Sequence, residues 1–199
     1  MKEGKRLNTR NLVLLALLTA IVIVLQAFAA FLPIFPFTLT LVLIPIVIGA
    51  ALISASAGAW LGLVFGAVVL LTGNANIFLA LNPAATIIIV LLKGILAGLA
   101  AGAVYRMLAS INKTFAVLCA AVVCPVVNTG IFIIGSYAFF LPVVMGFADF
   151  FGYDNATAII FLGLVGINFP LELAINLLLS PTIVRLIQHG QDRKEVVKA

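Results

Sequence analysis

The sequence predicts an all-α, polytopic membrane protein, a compact bundle of six transmembrane helices with both termini in the cytoplasm. Composition is the first observation behind this. Of 199 residues, 65% are hydrophobic and 9% charged, against about half and about a quarter in an ordinary soluble domain. A soluble fold of this length has no interior large enough to hide that apolar surface. The apolar runs are the second observation, since their lengths suit helical spans of about 20 residues. Charge placement is the third. Lys2, Lys5, Arg6 and Arg10 precede the first apolar run, and Arg193, Lys194 and Lys198 follow the last.

The spans follow in order. The first runs from Asn11 to Phe31 and ends at Pro33 and Pro36; the second runs from Leu39 to about Ile53. A small-residue turn, Ser54 to Gly58, is expected before a third run that ends near Thr72. Asn82-Pro83 opens the fourth, which ends at Tyr105-Arg106. The fifth extends from Thr114 to Leu141 and stops at Pro142; the sixth starts near Ala156 and ends before Pro181. None shows the alternation of a barrel strand, so helices are the spanning elements. The whole chain, 1–199, reads as one transmembrane domain: a bundle over 11–187 between basic tails at 1–10 and 188–199. That division leaves no room for an attached soluble ATPase domain.

Orientation comes from the basic residues. With the N-terminus inside, Arg106, Lys113 and Arg185 join both basic tails in the cytoplasm, and the outer loops hold only Asp149 and Asp154. This matches the positive-inside rule, and it explains the net charge of +5 without nucleic acid. The start, with Leu12 to Leu25 followed by Ala27-Phe28-Ala29, also resembles a cleavable signal sequence. Its apolar stretch continues to Phe31, however, so it is read as a retained span.

Chemistry motifs are scarce. There is no GxxxxGK[ST], HExxH or GxSxG, which removes the usual signatures of P-loop, metalloprotease and serine-hydrolase chemistry. The one histidine, His189, lies in the basic tail, and Cys119 and Cys124 are read as packing residues. No catalytic residue, metal or cofactor is expected. Gly58, Gly62 and Gly66, and again Gly94, Gly98 and Gly102, repeat every four residues. Such stripes let helix backbones approach closely, and internal packing is their expected role.

Polar residues within spans are the better functional lead, because lipid penalises them. Lys93 lies near the middle of span four, Asn128 near the middle of span five and Glu172 near the middle of span six. Asn168, Glu172 and Asn176 share one helix face. Pro170, between Asn168 and Glu172, is expected to free a carbonyl inside span six. Either Lys93 and Glu172 form a structural pair, or they also serve a polar site. At the outer end Phe35, Phe37, Thr38 and Asn82 add aromatics and polar groups suited to a small organic ligand. The candidate substrate-binding set is therefore Phe35, Phe37, Thr38, Asn82, Lys93, Asn128, Asn168 and Glu172.

Several segments resemble one family. Leu15-Ala-Leu-Leu-Thr-Ala-Ile21, with Ala16 and Ala20, resembles the first helix of the substrate-binding S components of energy-coupling factor (ECF) vitamin transporters. Phe37 to Gly49 and Ala57 to Gly66 resemble their second and third helices, and Lys93-Gly-Ile-Leu-Ala-Gly98 their fourth. The likeness covers about residues 10 to 187, with Ser-Ala-Ser after span two where Gly-Pro is common.

The resemblance implies a non-enzymatic, multi-pass subunit of the prokaryotic cell membrane. It would capture a vitamin or related micronutrient from outside and deliver it through a transmembrane coupling subunit driven by two ATPases. Ala16 and Ala20 would inherit the face toward the coupling subunit. The phrase around Pro45 most resembles pantothenate-type members, then riboflavin-type, and Lys93 offers a counter-charge to an anionic ligand. A self-sufficient secondary transporter or channel and a structural membrane protein remain as alternatives.

Overall fold

The structure, a computed structural model, describes residues 9–30, 41–166 and 168–196, the backbone alone at 30, 182–183 and 186–196. The described residues are helical and carry no strand. The long or apolar helices are α1 (Thr9–Ala30), α2 (Leu43–Leu52), α3 (Ala55–Leu71), α5 (Pro83–Leu108), α6 (Lys113–Phe139) and α10 (Asn168–Val196). Short helices join them: α4 (Asn76–Leu81), α7 (Leu141–Met145), α8 (Ala148–Phe151) and α9 (Ala156–Ala158), the last continuing as a π-helix over Ile159–Leu164. Four segments, Thr9–Ala29, Pro83–Leu108, Lys113–Phe139 and Ala156–Pro181, are long and apolar enough to cross a membrane. The shorter apolar helices α2 and α3 have 10 and 17 residues.

Capping residues fix several boundaries. Asn82 Oδ1 accepts from the Ala85 amide, and Pro83 takes the first helical position of α5, where a missing N–H costs nothing. Asn112 Oδ1 does the same for α6 through the Phe115 amide. Ser54 Oγ accepts from the Ala57 amide, so the small residues expected to form a turn are instead the first turn of α3.

The other departures concern prolines. Pro170 lies in the first turn of α10, after a turn at Val165 and Gly166. There its absent N–H breaks no established ladder, and it still lies midway along the apolar segment Ala156–Pro181. Pro181 was expected beyond the last helix, yet α10 continues through it to Val196. The Leu177 carbonyl that Pro181 cannot bond accepts from Ser180 Oγ at 2.6 Å instead. Nearby side chains repairing a freed carbonyl are what allow proline inside an apolar helix.

The two glycine stripes face each other across the α3–α5 contact. A Cβ on Gly58 would lie 2.6 Å from Gly98 O, and one on Gly66 would lie 2.7 Å from Val90 O. A Cβ on Gly62 would collide with Gly94 O, which is backbone and cannot rotate away. Packing, not a ligand, explains these glycines. Gly130 of α6 is the contrast, since nothing lies within 4 Å of its added Cβ. Gly62→Ala should therefore lower the thermal melting point of the solubilised protein by several degrees. Gly130→Ala should leave it unchanged or slightly higher, because alanine loses less backbone entropy in a helix. Equal effects of the two would contradict this packing.

Candidate ligand-binding cavity

Three helices, α5, α6 and α10, bring charged and amide groups to a cavity at the end of the bundle where α1, α3 and α6 finish and α5 begins. Its volume is about 110 Å³, several times the roughly 10–15 Å³ that one water needs. Lys93 from α5, Asn128 from α6, and Asn168 and Glu172 from α10 line it. The sequence places these residues on separate helices with no local signal of contact; antiparallel packing of α5 and α6, joined by a short connection, sets Lys93 and Asn128 at one depth.

Burial and charge then shape the site. Glu172 is 5% exposed, and its charge acts on Lys93. The Lys93 ammonium also lies 5.5 Å from the Phe65 ring centroid and 6.0 Å from that of Phe132. Both distances are in the range where an aromatic face attracts a cation. The ammonium thus lies over two ring faces within the field of the Glu172 carboxylate, and it borders the cavity.

An aromatic wall closes the other side. Phe78 of α4 meets Phe132 edge-on at 5.9 Å and Phe140 at 5.0 Å, geometries that aromatic rings favour. Phe169, Leu164 and Val165 complete the lining from the π-helix and the start of α10. π-helical turns are rare and occur often at functional sites. The arrangement offers a polar floor and an apolar wall, suited to a small molecule with both characters.

Of the described candidate residues, Asn82 alone stands apart from the cavity; its side chain is spent on capping α5. Phe35, Phe37 and Thr38 lie outside the described residues. Ala16 and Ala20 of α1 are exposed, while Leu18, Val22 and Gln26 form the buried stripe of that helix. The sequence reading passed over Gln26, which lines the cavity at 2% exposure. Its signal was available: an amide inside a long apolar run is as conspicuous as Asn128. Phe65, Phe78, Phe132 and Phe140 gave no such signal in a chain with 15 phenylalanines.

The opposite end of the bundle is basic. Arg106 lies in the last turn of α5 and Lys113 begins α6, both exposed, and Arg185 lies beside Thr114 and Leu118 around a second, more open cleft. Cys119 and Cys124 are free thiols. Among the described residues no group of His, Cys, Asp and Glu side chains could hold a metal ion.

Compared with known protein families, residues 10–184 match the model described as ECF transporter, substrate-specific component. Neither the curated proteins nor the solved structures contain a match.

Proposed function

The chain belongs to the family of ECF transporter substrate-specific components, and from that premise we propose that its cavity captures a vitamin-like micronutrient from outside the cell. Members of this family are multi-pass transporter subunits that bind substrate and are not enzymes. They work with a membrane coupling subunit and ATPases. For this chain the proposal is specific. Six helices cross the membrane, α2 and α3 included, with both termini in the cytoplasm. The cavity end faces out and the basic end, with Arg106, Lys113 and Arg185, faces in.

One observation carries the reading. Lys93, Asn128, Asn168 and Glu172, from three helices, border one cavity remote from the basic end. Polar groups at membrane depth persist where they serve each other or a ligand. Lys93 would meet an acidic group of the ligand, the amides its polar groups, and the phenylalanine wall its apolar part. Phe35, Phe37 and Thr38 would cover the mouth, whereas Asn82 would act only through the α5 cap. Pantothenate is the first candidate and riboflavin the second.

Native mass spectrometry of the purified protein should show one co-purified metabolite at up to one per chain. Titration with pantothenate and riboflavin should then show tight binding of one of them. Absence of a bound metabolite, with no binding of either compound, would contradict the proposal. Orientation has its own test. In a background without Cys119 and Cys124, Gln191→Cys and Asp149→Cys should label from opposite sides of the membrane. Labelling of both from one side would reverse part of the topology.

A further inference from the structure

Two buried polar atoms, on residues that line the cavity, are left unanswered by the chain. Gln26 Oε1 and Asn128 Oδ1 have no hydrogen-bond partner, although their residues are only 2% and 5% exposed. Both residues line the cavity. Buried acceptors are almost always paired in folded proteins, and lipid supplies no donor in place of a missing one. The two threonines of the lining do not help them: Thr86 Oγ1 donates to Asn82 O at 2.8 Å, and Thr129 bonds neither oxygen. Asn176 Oδ1 is also without a partner, but that residue does not border the cavity and is left aside.

We infer that Gln26 is a ligand-binding residue acting together with Asn128, and that the ligand presents at least two O–H or N–H donors to their side-chain oxygens. This rests on the reading of the cavity as the substrate site and narrows its substrate class. A simple carboxylate or inorganic anion would answer Lys93 and leave both amide oxygens to water alone. A molecule with hydroxyl or amide N–H groups beside an apolar part answers all three and fills the space against Phe78, Phe132 and Phe140.

Gln26 has a second consequence through its helix. It is on α1, whose exposed face carries Ala16 and Ala20. At about 100° per residue, those alanines lie roughly 80–120° around the helix from Gln26. A ligand bonded to Gln26 therefore binds α1 to the filled cavity while leaving the alanine face uncovered.

The test uses the full-length solubilised protein, with pantothenate and riboflavin as probes and native mass spectrometry for any metabolite already bound. Gln26→Leu and Asn128→Leu are compared with the wild type. Each should weaken binding of the probe at least tenfold and reduce co-purified metabolite in proportion. Neither should lower the melting temperature of the ligand-free protein, because each removes an unpaired acceptor. If Gln26→Leu does not fold, Gln26→Met, closer in shape, supplies the same comparison. Unchanged affinity in either variant overturns the inference and leaves the substrate site standing. Lost affinity with a lower ligand-free melting temperature in both marks the amides as structural and also overturns it. A wild type that carries no metabolite and binds neither probe removes the site and the inference together.

Discussion

Ala16→Trp combined with Ala20→Trp should abolish ATP-driven uptake while ligand affinity of the isolated protein stays within about twofold. Both alanines are exposed on α1, one turn apart and on one face. Exposed Leu12, Val13, Leu17 and Val24 border them, so the helix offers an apolar surface with a shallow strip along it. Small residues permit a partner helix to come close, and two indoles would hold it away. The cavity should not register the change, because Gln26 lies about 9 Å further along the helix axis from Ala20 and on another face. Uptake should fall more than tenfold, to the level measured without ATP. Survival of uptake in the double variant would place the coupling face elsewhere.

Lys93→Met should remove ligand affinity by more than tenfold and also destabilise the protein, for separate reasons. Affinity falls because the cation facing the cavity is gone. Stability falls because Glu172, 5% exposed, loses a nearby opposite charge, and losing a counter-charge destabilises a buried carboxylate. Glu172→Gln alone should destabilise for the mirror reason and reduce affinity less. The double variant Lys93→Met with Glu172→Gln should then recover most of the stability and none of the affinity. Melting curves and titrations on the same four proteins check both halves. Full affinity in Lys93→Met would make the pair purely structural.

Much of this was legible in the sequence, for identifiable reasons. Apolar runs and the Asn82-Pro83 boundary mark helices locally, so α5 begins where Asn82 caps it, and α6 begins at Lys113, one residue before the expected Thr114. The glycine repeats announce close packing, and the structure shows that the two stripes meet each other. Lys93, Asn128, Asn168 and Glu172 stood out because charge and amide groups are expensive in lipid, and they do line one cavity.

The rest depends on three-dimensional information that one chain does not display. Ser54 could end a turn or cap a helix, and only the Ala57 amide beside it decides. Pro181 reads as a helix stop until Ser180 is seen to satisfy the Leu177 carbonyl. Phenylalanine is so common here that no pattern distinguishes the wall of Phe78, Phe132 and Phe140 from exposed residues such as Phe28 and Phe161. Gln26 is legible as the one amide within the apolar run of the first span.

Uptake by reconstituted vesicles tests the central claim most directly. The protein alone in the bilayer should bind the labelled vitamin, pantothenate or riboflavin, and accumulate none inside. Adding the coupling subunit with its ATPases should give accumulation that stops when ATP is withheld. Accumulation by the protein alone, driven by a gradient and indifferent to ATP, would contradict the account and make the chain a self-sufficient transporter.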